Sequence, residues 1–142
     1  IMNEWDPGMH VGTVGGNPIM GAAGLAVLDE FDAANILGNI NRQGAYLRSK
    51  LEQLKAKHPI VTDVRGLGLM LAIELDHTDG RTGGDLVEAT RKAALARHML
   101  PPSCGVHGNG MRRATALNVT QDVIDEGVSI LDESLSVAEQ QD

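Results

Sequence analysis

The chain has 142 residues, a formal net charge of −7 and few aromatic side chains. Its length suits one compact domain, whose core must be built from Leu, Val, Ile, Ala and Met. The acidic balance disfavours nucleic acid or an anionic membrane as a partner, because a negative surface does not attract phosphate groups. We therefore expect a globular protein whose partners include neither nucleic acid nor membrane.

Cysteine usage and the lack of a long apolar run favour the cytoplasm as the compartment. Cys104 is the single cysteine, so no internal disulfide can form. No apolar run reaches the roughly 18 residues that span a bilayer, and the N-terminus lacks the basic-then-apolar order of a secretory signal. The start at Ile1, without an initiator methionine, predicts a piece of a larger protein whose other half covers part of its surface.

Two helices are predicted at the start of the chain. Helical spacing over residues 19–31 predicts a first helix, with Pro18 in its first turn. The residues at this spacing are Met20, Ala23, Gly24, Val27, Leu28 and Phe31, and the small residues at 21–24 along one side permit close packing. A second helix is predicted from about Ile36 to Lys57, where His58-Pro59 ends it, because the residue before proline is disfavoured in helical conformation.

Strands and two further helices follow. Residues 60–64 and 69–75 are β-prone runs joined by a predicted tight turn at 65–68, and residues 85–98 return to helical spacing with Asp85 as N-cap. Residues 99–102 and 111–117 are expected to be extended. Residues 120–137 predict a last helix, capped by Thr120, with an inward face of Val123, Ile124, Val128, Leu131 and Leu135. This order predicts an α/β or α+β domain.

A glycine-rich turn precedes the first helix. Gly12, Gly15 and Gly16 surround Thr13 in the segment Gly-Thr-Val-Gly-Gly-Asn-Pro at residues 12–18. Glycines bring backbone N–H groups close to a ligand, and a hydroxyl adds another donor, so this segment suits a phosphate. An ordinary turn accounts for the same residues by turn chemistry alone.

Arg112 and Arg113 are adjacent in a predicted strand. Their side chains must point to opposite faces, so one of them faces inward unless the strand lies at an edge. An inward guanidinium requires an anion. A carboxylate substrate and an ordinary ion pair with an acidic side chain both meet this requirement.

The histidines and the cysteine predict no metal site and no catalytic residue. The five histidines, at positions 10, 58, 77, 98 and 107, lack the helical i, i+4 pairing of metal ligands. His107 lies in a glycine-rich loop, where a surface or packing role is favoured. Cys104 has no base beside it in the sequence, so an inert packing role is favoured there as well.

Four segments in register resemble the C-terminal part of the class III pyridoxal-phosphate-dependent aminotransferases, enzymes of fold type I. They are residues 10–18, 26–29, 64–70 and the Cys-Gly-x-x-Gly-Asn-x-x-Arg pattern at 104–112. The last pattern is most similar to the 4-aminobutyrate branch. The resemblance implies the end of the cofactor-binding large domain at residues 1–20. It also implies a linking helix and a small domain at 21–142, with a small antiparallel or mixed sheet packed with helices.

The resemblance also implies roles for individual residues. The threonine that matches Thr13 contacts the phosphate of pyridoxal 5′-phosphate across a homodimer interface, and Gly12, Gly15 and Gly16 shape that loop. The arginine that matches Arg112 binds the carboxylate of the amino or keto acid. The implied reaction moves an amino group from an ω- or α-amino acid, such as 4-aminobutyrate, to a keto acid such as 2-oxoglutarate. Residues 65–68 match a strand-connecting turn.

Departures from the family pattern concern the catalytic centre. The family's Schiff-base lysine and the aspartate that pairs with the pyridine nitrogen lie upstream of the threonine motif, and residues 1–12 supply neither. The four lysines of the chain are predicted on solvent-facing helical surface. We therefore expect these 142 residues to be inactive alone and to require a homodimer partner or a lysine-bearing N-terminal half.

Two further departures affect the substrate side. Arg113 stands where the family usually has an apolar residue, and Thr115-Ala116 stand where it has a proline pair.

One alternative hypothesis is a non-catalytic small-domain module that binds a carboxylate or pairs with an aminotransferase subunit. Another is an unrelated anion-binding α/β domain, for which the four motifs would be coincidental.

Overall fold

The structure is a computed structural model that describes residues 4, 6, 8, 12–76 and 80–140. The chain forms two compact units, Ile1–Ile36 and Leu37–Asp142. The predicted element order, helix, helix, strand, strand, helix, strand, strand, helix, is confirmed. Within the described ranges, no helix has the length and apolar character needed to cross a bilayer.

The first unit contains the glycine-rich turn and helix α1, Pro18–Ala33. Asn17 caps this helix, and Pro18 occupies its first turn, where a missing N–H costs nothing. The helix is confirmed. No residue of α1 is buried, and Ile19 is 76% exposed. Helical spacing shows which residues share a face, whereas burial requires another element to cover that face.

The second unit is built on a four-stranded antiparallel sheet. Its strands are β1 (Val61–Leu67), β2 (Met70–Leu75), β3 (Ser103–Cys104) and β4 (Gly110–Ala114), in the spatial order β1-β2-β4-β3. The expected small antiparallel sheet packed with helices is confirmed. Strand β2 is central, and its alternating Leu71, Ile73 and Leu75 are buried.

Three helices contribute to the fold around this sheet: α2 (Ile36–Lys57), α3 (Gly83–Leu95) and α4 (Gln121–Gln140). Helix α2 has the predicted bounds. One apolar core joins helices and sheet, with Leu51, Leu86, Met111 and Leu131 fully buried. Val123, which was predicted to face this core, is 56% exposed, whereas Ile124, Leu131 and Leu135 are buried as expected.

The hairpin between β1 and β2 differs from the prediction. Leu67 pairs with Met70, so the connection is only Gly68-Leu69, and Arg65 and Gly66 lie inside β1 rather than in the turn. Gly66 adopts φ 130, and a side chain there would overlap the carbonyl oxygen of Met70. The glycine is thus required by a close approach within the strand pair.

Three other predictions of where elements lie are wrong. Helix α3 begins at Gly83, and its N-cap is Thr82, because Asp85 occupies the third helical position of a capping box. Residues 99–102 form no strand, since Pro101 and Pro102 have no N–H to donate, and the short strand β3 follows them at Ser103–Cys104. Strand β4 ends at Ala114 rather than at residue 117.

Candidate functional site

The residues of the glycine-rich turn in the first unit are exposed, and two hydrogen bonds within the turn hold its shape. Gly15 N donates to Gly12 O over 3.2 Å, and Asn17 N donates to Val14 O over 3.1 Å. Gly16 turns the chain with φ 76. Thr13 lies between these bonds and is exposed. A Cβ atom at Gly12 or Gly16 would meet no atom within 4 Å, so the loop is open at both positions.

Helix α1 begins directly after this loop. Asn17 Oδ1 accepts a hydrogen bond from Ile19 N over 2.9 Å, and no acidic residue occupies the first turn. A helix N-terminus carries partial positive charge, and an exposed hydroxyl lies in the loop before it. The predicted residues Thr13, Gly12, Gly15 and Gly16 therefore share one loop whose chemistry fits a phosphate. His10 and Val11, which belong to the same sequence motif, lie outside the described residues.

The predicted substrate residue, Arg112, lies in the second unit, on the outward face of β4. It pairs across the sheet with Ala72, and Ala72 pairs on its other side with Arg65. The Arg112 side chain is exposed, and within the described part of the chain it has no hydrogen-bond or ion-pair partner. Its backbone N donates to Pro102 O over 3.0 Å, which fixes the strand edge.

The other arginine in this row is already neutralised. Arg65 Nη1 lies 2.9 Å from Asp63 Oδ2 and also pairs with Glu74 Oε2. The hydrogen bond from Arg65 lowers the pKa of Asp63 below its usual range. Asn109 Nδ2 donates to Glu74 Oε1 over 3.0 Å. On this face, Arg65 therefore has two carboxylate partners, whereas Arg112 has none among the residues that the structure describes.

Arg113 points to the opposite face, as strand alternation predicts. It lies across from Leu71, which is 1% exposed, and its Nη1 donates to Met99 Sδ over 3.4 Å. Its Nη2 and Thr115 Oγ1 are buried and have no partner among the described residues. Burial lowers the pKa of Arg113 to about 10. The inward arginine is thus Arg113, and the ion-pair interpretation fails for it, because no described acidic side chain contacts it.

The glycines of the loop between β3 and β4 are explained by the geometry of the turn. Gly108 N donates to Gly105 O over 3.1 Å, and both glycines have positive φ. A Cβ atom at Gly110 would lie 2.9 Å from Cys104 Sγ, so the Cys-Gly-x-x-Gly-Asn pattern reflects tight packing of a turn. His107 is exposed beside it. In the part of the chain that the structure describes, no group of His, Cys, Asp and Glu could hold a metal ion.

The lysines lie on helices and are largely committed to ion pairs. Lys50 Nζ is 2.8 Å from Asp125 Oδ1, Lys57 Nζ is 2.6 Å from Asp132 Oδ2 and Lys92 Nζ is 3.7 Å from Glu88 Oε1. Lys57 and Lys92 are exposed as predicted, whereas Lys50 and Lys55 are half-buried.

Comparison with protein families gives one match. The family described as aminotransferase class-III matches residues 1–135. The acetylornithine aminotransferase of Caldanaerobacter subterraneus subsp. tengcongensis is 38% identical over 92% of this chain and 31% of its own length. The 4-aminobutyrate aminotransferase GabT of Escherichia coli is 35% identical over 99% of this chain and 33% of its own. The chain thus spans about a third of the length of these relatives.

Solved structures agree with these sequence matches. The acetylornithine aminotransferase of Elizabethkingia anophelis superposes with a TM-score of 0.77 and 29% identity, over 96% of this chain and 34% of that protein. An S-selective transaminase from Arthrobacter sp., with alanine bound, gives a TM-score of 0.81 and 26% identity over 94% of this chain and 32% of that protein. The similarity therefore includes the fold as well as the sequence.

Proposed function

The chain belongs to the class III aminotransferases, and from this we propose that it supplies the phosphate-binding loop and the small domain of a transaminase. Enzymes of this class depend on pyridoxal phosphate. The family membership removes the hypothesis of an unrelated anion-binding domain. In this proposal residues 1–20 end the cofactor-binding domain, and residues 21–142 are the linking helix and the small domain.

The proposed reaction is amino transfer from an ω- or α-amino acid, such as 4-aminobutyrate, to a keto acid such as 2-oxoglutarate. Relatives are named as 4-aminobutyrate, 5-aminovalerate and acetylornithine aminotransferases, and each of these amines also carries a carboxylate. The observation that carries the proposal is the exposed guanidinium of Arg112, which has no partner among the described residues. A planar guanidinium can bind a carboxylate through two parallel hydrogen bonds.

The surroundings of Arg112 support this role. Ala72 beside it is small, so space is left for a ligand over the strand. Arg65, beyond Ala72, is held by Asp63 and Glu74, so it does not compete for the same anion. In the first unit, the Thr13 hydroxyl and the backbone of the glycine loop would hold the cofactor phosphate. Pyridoxal phosphate, when bound, supplies the electron sink for the chemistry.

We propose further that the 142 residues do not catalyse the reaction by themselves. Lys50, Lys57 and Lys92 are each paired with a carboxylate, and Lys55 lies on helix α2, so none is offered to a carbonyl carbon. The lysine would come from a lysine-bearing N-terminal half, and a homodimer partner would share the site of the cofactor phosphate. The alternative is a non-catalytic module, and the pairing of these lysines with carboxylates favours it.

A chimera tests the role of Arg112. The chain replaces the C-terminal third of the Escherichia coli 4-aminobutyrate aminotransferase, and transamination is measured with 2-oxoglutarate. We expect activity, and a loss of about 100-fold in kcat/KM for 2-oxoglutarate in Arg112→Ala, which corresponds to ~3 kcal/mol for a charged bidentate contact. Half-reactions with carboxylate-free amines should change only a few-fold. Arg91→Ala removes a surface guanidinium from α3 and serves as the matched control.

Three outcomes decide between the hypotheses. An equal loss for carboxylate-free amines contradicts the role of Arg112. An inactive chimera that binds pyridoxal phosphate and folds normally favours the non-catalytic module. Activity of the 142-residue chain by itself contradicts the proposed need for an external lysine.

Thr13 requires a separate test, because it acts on the phosphate rather than on the substrate. In the chimera, Thr13→Val should weaken binding of pyridoxal 5′-phosphate by about fivefold to tenfold, which corresponds to one hydrogen bond to a charged group. Binding of pyridoxal, which has no phosphate, should not change. Thr62→Val on the exposed part of β1 is the control. Equal weakening of both cofactors would contradict a phosphate contact.

A further inference from the structure

A partly open cavity lies on the side of strand β4 that Arg112 does not face. Its volume is about 240 Å³, and Leu47, Pro101, Val128 and Leu131 contribute apolar walls. Arg113 and Thr115 line it as well. Arg112 borders the cavity, although strand alternation directs its side chain to the opposite face. The cavity is thus distinct from the face on which we propose that the substrate carboxylate binds.

Two polar groups of this cavity have no partner. Arg113 Nη2 and Thr115 Oγ1 are each buried, and neither forms a hydrogen bond within the described residues. Among the residues that the structure describes, Arg113 Nη1 has only the weak acceptor Met99 Sδ, at 3.4 Å. A buried cation without a counter-ion and a buried hydroxyl without a partner both cost free energy, so native structures rarely retain them without a ligand.

Arg113 keeps its positive charge in this setting. Its pKa, although lowered by burial to about 10, stays well above neutral pH. The cavity therefore combines one guanidinium and one hydroxyl donor with apolar walls. A bare inorganic anion would satisfy the donors and leave the apolar walls facing empty space. An uncharged apolar ligand would fill the cavity and leave the donors unsatisfied.

We propose that this cavity binds a small aliphatic monocarboxylate, with its carboxylate on Arg113 Nη2 and Thr115 Oγ1 and its alkyl part against the apolar walls. One guanidinium matches one carboxylate, and the apolar walls of the cavity offer no partner for a second charge on the ligand. The inference does not rest on the proposed transaminase function, because neither Thr13 nor Arg112 takes part in it. It assigns the chain a second acid-binding site, separate from the substrate.

The test is a titration of the full chain with 4,4,4-trifluorobutanoate, followed by fluorine NMR. We expect saturable binding in the millimolar range, and the matched uncharged amide should bind at least about tenfold more weakly, as a charged hydrogen bond requires. Arg113→Leu should weaken binding of the acid by at least about tenfold, and Thr115→Val by a few-fold. Arg91→Leu removes a surface guanidinium and should bind as the wild type does.

Thermal unfolding provides a second measurement that does not depend on the fluorine signal. The acid should raise the Tm of the wild-type chain and should leave that of Arg113→Leu unchanged, since a ligand stabilises only the state that binds it. Each variant's Tm without ligand also shows whether it is folded. The methyl resonance of Met99, which contacts Arg113, should shift on titration.

Four results would overturn the proposal. They are equal binding by the wild type and Arg113→Leu, equal binding of acid and amide, and no saturable binding, which means a cavity filled by water only. The fourth is loss of binding in Arg112→Leu with retention in Arg113→Leu, which assigns the signal to the proposed substrate face. The failure of this inference and the failure of the proposed function are therefore distinguishable.

Discussion

His58 Nε2 lies 2.6 Å from Asp132 Oδ1, although 74 positions separate the two residues. The contact joins the residue that follows α2 to the middle of α4. His58 is 2% exposed, and its Nδ1 lies 2.9 Å from Glu139 Oε2, so both ring nitrogens face a carboxylate of the same helix. Lys57 Nζ completes the cluster at 2.6 Å from Asp132 Oδ2.

Removal of the Asp132 charge should destabilise the chain. Asp132→Asn keeps the shape of the side chain but leaves the buried His58 and the Lys57 ammonium with a weaker acceptor. We expect the free energy of unfolding, measured with urea, to fall by about 1–3 kcal/mol. Glu133→Gln is the control, because its partner Arg97 forms a largely exposed pair, and it should change stability by less than about 1 kcal/mol. Equal effects of the two substitutions would show that the cluster contributes no more than a surface pair.

The same cluster predicts how the stability of the fold changes at acidic pH. Burial raises the pKa of Asp132, but hydrogen bonds from Lys57 and His58 outweigh it, so the pKa lies below the usual range. A carboxyl group with a depressed pKa in the folded state stabilises the fold above its unfolded pKa of about 4, and this contribution is lost as pH falls through the folded value. The stability difference between wild type and Asp132→Asn should therefore shrink between pH about 5 and about 3. A difference that grows on acidification would contradict this sign.

Gly66 should not tolerate a side chain. Its φ is 130, a Cβ atom there would overlap the carbonyl oxygen of Met70, and its own carbonyl accepts a 2.6 Å hydrogen bond from Arg48 Nη2. Gly66→Ala should lower the free energy of unfolding by at least about 2 kcal/mol. Gly127→Ala in α4, where a Cβ atom meets nothing within 4 Å, should raise it by about 0.5–1 kcal/mol. A neutral Gly66→Ala would mean that the hairpin can shift to make room.

The element order and the bounds of α2 could be predicted from the sequence, because hydrophobic periodicity and His58-Pro59 are local signals. The family motifs likewise led to the fold class. Helical spacing predicted that the apolar residues of α1 share a face. It could not predict whether another element covers that face, and no residue of α1 is buried. The contact between His58 and Asp132 left no local signal, because it forms only when α2 and α4 pack.

The candidate site was only partly predictable. Alternation required one of Arg112 and Arg113 to face inward, but the direction depends on register, and the pairing of Arg113 with the buried Leu71 decided it. The sequence argument that an inward guanidinium needs an anion therefore applies to Arg113, whereas the family resemblance concerns Arg112. Strand β3 was misplaced because Pro101-Pro102 permits an extended chain but cannot donate to a ladder.

The last prediction concerns the start of α3. A capping box formed by Thr82 and Asp85 stands there in place of the expected Asp85 N-cap. Thr82 Oγ1 accepts from Asp85 N over 3.2 Å, and Asp85 Oδ2 accepts from Thr82 N over 2.9 Å. Thr82→Ala should lower the free energy of unfolding by about 1 kcal/mol and speed hydrogen exchange in the first turn of α3. Ser129→Ala, at an exposed position of α4, should stay within about 0.5 kcal/mol of wild type. A neutral Thr82→Ala would contradict the assignment of Thr82 as the residue that caps α3.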